Sequence, residues 1–144
     1  MAATEAPVPV AELDEAGLVR WGEQFGRSLA VPSFVTLSGD LGAGKTTLVR
    51  AIARAQGATA PVTSQSYAIV SEYGSPRGPL IHVDLYRLRS ADELPQIGWD
   101  DILRARAIVL VEWPDRAAGA LPNDQTALRL EHVDGRPEVR RLSW

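Results

Sequence analysis

A chain of 144 residues, 45% of them hydrophobic, carries enough apolar material for one domain with a single core. Its net charge of −3, without a long run of like charge, argues against a protein that coats nucleic acid through a basic face. With no cysteine at all, disulfides, thiolate metal sites and thiol catalysis are removed together, and a reducing cytoplasm suits the composition.

Residues 1–10 read as a flexible lead-in, with neither the basic start nor the apolar run of a signal peptide or membrane span, and residues 11–144 as the single domain. A cytosolic protein without a membrane segment is expected. Leu18, Trp21, Phe25 and Leu29 recur at spacings of three and four, which predicts a helix capped by Asp14 and ended before Pro32. Phe34 to Leu37 reads as a short strand, a glycine-rich segment follows at once, and Leu48, Val49, Ile52 and Ala53 predict a second helix closed by Gly57.

Tyr67 to Tyr73 and Leu80 to Asp84 read as an antiparallel pair joined through Gly74 to Pro79. Ser90 and Glu93 have the spacing of a capping box for a brief helix limited by Pro95 and Gly98, and Trp99, Ile102 and Leu103 suggest another. Ala107 to Val111 is apolar on both faces, as in a strand buried between helix layers, and it ends in Glu112. Gln125 to Val133 and Glu138 to Trp144 flank Asp134-Gly135 as a second hairpin. Together these segments predict an α/β three-layer sandwich of the P-loop NTPase kind, with a largely parallel sheet and antiparallel hairpins attached.

Gly39-Asp40-Leu41-Gly42-Ala43-Gly44-Lys45-Thr46, between a strand and a helix, is the P-loop pattern G-x-x-x-x-G-K-S/T in the context that it requires. Glycines at the tight points let backbone N–H groups approach phosphate oxygens, and the helix directs its free N–H groups at the same charge. Cofactor binding is therefore expected of Asp40, Leu41, Gly42, Ala43, Gly44, Lys45, Thr46 and Thr47, with Lys45 on the β and γ phosphates and Thr46 on Mg²⁺. No N-K-x-D base-reading motif follows, which points to ATP rather than GTP.

Ligands in such sheets sit at the carboxyl ends of the strands, where Asp84 and Glu112 are expected. Glu112 is the candidate metal carboxylate together with Thr46, and Asp84 the candidate for orienting the attacking water or joining the Mg²⁺ shell, so that Lys45, Asp84 and Glu112 form the catalytic set. Thr63, Ser64 and Ser66 fall in a polar loop after the P-loop helix, where segments that sense a γ phosphate are found. His82 could pair with a carboxylate or a partner, but as a lone strand histidine it reads as a satisfied half-buried residue and is assigned no catalytic part; Trp113, beside Glu112, is equally readable as site or scaffold.

Four motifs in order carry a family resemblance: Gly39 to Thr47, Val62-Thr63-Ser64-Gln65-Ser66-Tyr67, His82-Val83-Asp84-Leu85-Tyr86-Arg87-Leu88, and Val111-Glu112-Trp113-Pro114. From about Leu13 to Pro122 the chain resembles the TsaE (YjeE) family, small bacterial ATPases of tRNA threonylcarbamoyladenosine biosynthesis. The resemblance implies an ATPase that acts with a synthase of two proteins, TsaB and TsaD, in modifying adenosine 37 of tRNAs reading ANN codons, touching tRNA through that complex. It implies Thr46 and Glu112 as Mg²⁺ ligands, Asp84 as an aspartate needed for hydrolysis, Thr63 to Tyr67 as a switch-like loop, and the helix from Asp14 to Phe25 near the base or the partner. Where the family usually reads Ser-Pro-Thr-Tyr or Ser-Pro-Thr-Phe, this chain has Ser64-Gln65-Ser66-Tyr67. Losing the proline frees the loop backbone and bears on loop closure rather than on ATP binding.

From the residues alone two other readings stand. One is a small-molecule or nucleotide kinase, for which Arg87, Arg89, Arg104, Arg106 and Arg116 are available but no insert long enough for a lid follows the P-loop helix. The other is a nucleotide-gated binding module with little turnover.

Overall fold

The computed structural model describes residues 8–58 and 69–144. Its seven strands form one sheet in the order β1-β7-β6-β2-β5-β4-β3, with β1 Val10–Asp14, β2 Ser33–Ser38, β3 Val70–Tyr73, β4 Leu80–Asp84, β5 Ile108–Glu112, β6 Thr126–Val133 and β7 Arg136–Ser143. The central four, β6-β2-β5-β4, run parallel to one another. Three antiparallel pairings, β1–β7, β6–β7 and β3–β4, finish both sides.

Alternation along the central strands sorts the core into two sides. Val35, Leu37, Leu48, Ile52, Ile108, Leu110 and Leu128 pack together on one face, and Ile81, Val83, Trp99, Ile102, Val109 and Val111 on the other. The first face is covered by α1 Glu15–Ser28 and α2 Lys45–Ala55; the second by α3 Trp99–Arg104 with the 3-10 segments Ala91–Ile97 and Pro114–Ala117. This is the expected three-layer sandwich, with the parallel part confined to the centre.

The first helix starts as its sequence predicts, because Asp14 Oδ1 accepts from Gly17 N at 2.7 Å. It lies unusually close to α2: a Cβ on Gly22 would come within 2.8 Å of Ala51 Cβ, and one on Gly26 within 2.9 Å of Ile52 Cα. Gln56, buried at the end of α2, donates to the carbonyls of Gly26 and Leu29 and ties the two helix ends together.

Two local expectations change. Val10–Asp14, for which no strand is predicted, pairs with β7 from Val10↔Ser143 to Asp14↔Val139, because the last hairpin offers an edge that this extended segment can satisfy. Ser90 accepts from Asp92 N at 3.2 Å instead of joining Glu93 in a capping box, as the tighter 3-10 turn brings the nearer amide to the hydroxyl. Among the described residues no helix is long and apolar enough to cross a membrane.

Candidate functional site at the carboxyl edge of the sheet

Three parallel strands, β2, β4 and β5, end side by side, with Leu37 opposite Glu112 and Glu112 opposite Asp84. Because side chains alternate, Glu112 shares the parity of Ile108 and Leu110 and faces the side covered by α1 and α2. His82 and Asp84 share the parity of Leu80 and face that side too. The topology thus brings the two predicted carboxylates under the start of the P-loop helix.

The loop leaves β2 at Ser38 and enters α2 at Lys45. Ala43 N donates to Asp40 O at 3.1 Å, and Leu48 N to Gly44 O at 3.0 Å as the helix begins. Gly39 has φ 148°, and a Cβ there would stand 2.4 Å from the Leu130 carbonyl oxygen, so neither the dihedral nor the space admits a side chain. Gly44, at φ 102°, is the N-cap of α2 and contributes no side-chain cap, and the first turn holds no acidic residue. In contrast, α1 opens on Asp14 and Glu15 and α3 on Asp100 and Asp101. The N-terminus of α2 therefore has neither a side-chain cap nor an acidic neighbour in its first turn, the arrangement in which a helix end can take up an external anion. Thr46 and Thr47 are half-buried in its first turn, Asp40 and Leu41 exposed at the loop tip, and Ala43 buried.

Lys45 is only 5% exposed. Its Nζ donates to the Gly39 carbonyl and lies 3.6 Å from the centre of the Trp113 ring. Burial lowers its pKa, opposed by the negative charges of Glu112, Asp84, Asp40 and Asp115 in that order. Trp113 has φ 57° and is the one non-glycine residue with positive φ among those described. Such a conformation costs on the order of 1–3 kcal/mol, and here it accompanies the placement of the indole on the P-loop lysine and against Tyr86, ring centres 5.0 Å apart. Both roles open to Trp113 in the sequence are present in the fold: its ring lies on Lys45 and it also packs against the core of the second face.

Glu112, 4% exposed, receives His82 Nε2 at 2.6 Å on Oε2. Asp84 Oδ1 accepts from Tyr86 N at 3.0 Å. Burial raises the Asp84 pKa; the Tyr86 N–H opposes this, Glu112 adds to it, and His82 and Lys45 oppose it. A carboxyl that binds its proton more tightly folded than unfolded makes the protein lose stability as pH rises from the ordinary value near 3.8 through the raised native value. Asp84→Asn keeps an acceptor for Tyr86 and removes that charge. Its melting temperature at pH 7 is expected to exceed the parent's by a few degrees, with the gain vanishing in acid below the ordinary carboxylate range. A variant melting at or below the parent at pH 7 would contradict the electrostatic account.

Thr46 and Glu112 supply hard oxygen donors, and no group of three His, Cys, Asp or Glu side chains that could hold a metal occurs among the described residues. That set fits Mg²⁺, which is usually held by one or two protein oxygens plus phosphates and water, and not a closed protein cage. The predicted loop residues Thr63, Ser64 and Ser66 lie outside the described residues. Of the arginines considered for a kinase, Arg116 donates to Leu88 O at 2.9 Å and Arg104 to Asp101 at 3.1 Å, both structural bonds.

Sequence reasoning passes over Arg140. From β7 its guanidinium reaches the Gly42 carbonyl at 3.2 Å and braces the P-loop across 98 residues of chain, a pairing without any local signal. It borders a cleft of about 510 Å³ between the start of α1, the P-loop and β7, lined also by Asp14, Glu15, Thr47 and Glu138. A second recess of about 400 Å³ lies on the other side of the loop, against Gly39, Asp40, Trp113 and Arg129.

Residues 13–141 match the family model described as threonylcarbamoyl adenosine biosynthesis protein TsaE. The tRNA threonylcarbamoyladenosine biosynthesis protein TsaE of Haemophilus influenzae is 35% identical over 135 residues, covering 90% of this chain and 85% of that protein. The protein of the same name from Mycobacterium tuberculosis is 37% identical over 133 residues, covering 85% and 77%. The crystal structure of Bacillus subtilis YdiB superposes with a TM-score of 0.73 over 96% of this chain and 86% of that one, at 24% identity, a likeness of fold.

Proposed function

The chain belongs to the TsaE family of tRNA threonylcarbamoyladenosine biosynthesis proteins, and from that premise we propose that it binds and hydrolyses Mg²⁺-ATP in the cytoplasm in support of the TsaB-TsaD synthase. The synthase would carry the tRNA, and this chain would supply the nucleotide cycle. The observation that carries the ATPase reading is the convergence on Lys45: the P-loop carbonyl, the Trp113 ring and the negative charges of Glu112 and Asp84 all act on one buried ammonium.

In this reading the backbone amides of the loop and of the first turn of α2 bind the phosphate oxygens, and Lys45 leaves Gly39 for the β and γ phosphates. Thr46 and Glu112 would hold the metal. Mg²⁺ supplies neutralisation of charge developing on the transferred phosphoryl group. Asp84, with one oxygen fixed by Tyr86 N, orients the attacking water. The 510 Å³ cleft touches Gly42, Gly44 and Thr47 and is rimmed by Asp14, Glu15 and Glu138, acceptors suited to the hydroxyl and amino groups of a nucleoside, with the Arg140 guanidinium on the same rim.

Phosphate release by the purified protein, measured with and without the two synthase proteins, tests the proposal. A clear rise on adding the synthase is expected. Transfer of the γ phosphate to a small acceptor would make the protein a kinase, and tight ATP binding without turnover in either condition would reduce it to a binding module.

A further inference from the structure

His82 is the one buried polar side chain on β4 that the proposed chemistry leaves idle. It is 7% exposed and stands two residues before Asp84 on the same face, with Leu110 as its register partner. Since Asp84 is the register partner of Glu112 at the strand ends, His82 lies one step deeper in the sheet than the carboxylate that it binds. We propose that His82 is a positioning residue for Mg²⁺: its Nε2–H holds Glu112 Oε2 from below, so that the carboxylate is presented to the metal in a single orientation. The inference rests on the reading of Glu112 as a Mg²⁺ ligand.

The geometry of the contact and the chemistry of its two partners support it. The contact of 2.6 Å joins side chains that are 9% and 5% exposed, where little water competes for either partner. A carboxylate oxygen accepts, so Nε2 carries the hydrogen, and one N–H uses only part of the acceptor capacity of Glu112, leaving Oε1 for a cation. A glutamate side chain otherwise loses considerable rotamer freedom when it binds a metal, and a partner that restricts it beforehand lowers that cost. An imidazole in the middle of a core strand is a poor choice for packing alone, because each ring nitrogen buried there needs a partner that an aliphatic residue would not. Partners of metal ligands commonly change metal affinity by about 10-fold to 100-fold when removed.

The experiment measures ADP and AMP-PNP affinity by calorimetry in EDTA and across a Mg²⁺ titration, on the full chain and on His82→Leu, His82→Gln and His82→Asn. His82→Leu should bind nucleotide in EDTA within about threefold of the parent while needing about 10-fold more Mg²⁺ for the same gain in affinity. His82→Gln, whose amide can reach Oε2, should recover most of the Mg²⁺ response; His82→Asn, one methylene shorter, should not. Should His82→Leu fail to fold, the Gln and Asn variants carry the comparison. A parent-like Mg²⁺ response in the leucine or asparagine variant overturns the inference, as does an equal loss of affinity with and without metal, or a glutamine variant no better than asparagine. If the parent itself shows no Mg²⁺ effect, the Mg²⁺-ATP reading falls first and the inference with it.

Discussion

Lys45→Ala is expected to weaken ADP and ATP binding by about 100-fold while the protein stays folded. A hydrogen bond to a charged group contributes roughly 1.5–3 kcal/mol, which is about 10-fold to 150-fold in affinity. The upper part of that range is favoured because the lysine is the ammonium that faces Glu112, Asp84, Asp40 and Asp115, and without it a triphosphate meets four negative charges. A loss of many thousand-fold is not expected. The ammonium has the Gly39 carbonyl and the Trp113 ring as partners, so that phosphate would replace these contacts and not meet a bare charge. Stability should change little, since alanine is the better helix former at the first position of α2 and the leucines and isoleucine beneath that helix are untouched. Calorimetry with ADP and thermal melting by circular dichroism measure both parts. Unchanged affinity would remove the P-loop from the site.

Glu112→Ala is expected to lower the turnover number by about 10²–10³-fold with a much smaller loss of nucleotide affinity, because an interaction that grows with charge in the transition state acts on the rate more than on binding. The same substitution should also destabilise the fold. It leaves His82 Nε2 without its acceptor at a site that is almost dry, a loss of about 1–3 kcal/mol. Glu112→Gln separates the two effects, as its carbonyl oxygen can still accept from His82 while its charge is gone. Turnover should fall nearly as far as in the alanine variant and the melting temperature should return most of the way to the parent's. Steady-state ATPase assays beside melting curves would check this. Turnover by the glutamine variant equal to the parent's would end the metal role of Glu112, and a melting temperature as low as the alanine variant's would deny the bond to His82 its stabilising part.

The difference between these substitutions follows how each residue can be seen in the chain. Lys45 is legible because a phosphate is wrapped by consecutive backbone amides, so the requirement is written as a spacing within eight residues. The α1 helix is legible for a similar reason: Leu18, Trp21 and Phe25 repeat at the helix period, and Asp14 caps its own neighbour Gly17. Glu112 is legible one step less directly, through the rule that a strand buried on both faces ends at the ligand edge. His82 is the instructive case. Its parity with Asp84 is present in the sequence, yet the partner that gives it meaning is 30 residues away on β5, and only the parallel register of β4 and β5 joins them.

Tertiary structure also decided what β1, Trp113 and Arg140 do. The segment Val-Ala-Glu-Leu-Asp has too few apolar residues to declare itself a strand; it becomes one because β7 presents unpaired backbone groups beside it. Trp113 sits on Lys45 through a left-handed backbone conformation that no residue pattern announces. Arg140 meets Gly42 because the last hairpin inserts β6 against β2, which carries the far end of the chain to the P-loop. By itself, then, the sequence determined the glycine loop between β2 and α2, the order of helices and strands, and the carboxylates at the strand ends, all of which depend on neighbours within a few residues. The clasp on Glu112, the aromatic cover over Lys45 and the brace from β7 are contacts across 30 to 98 residues of chain, and like the strand order they exist only once burial of the two apolar faces has aligned the sheet.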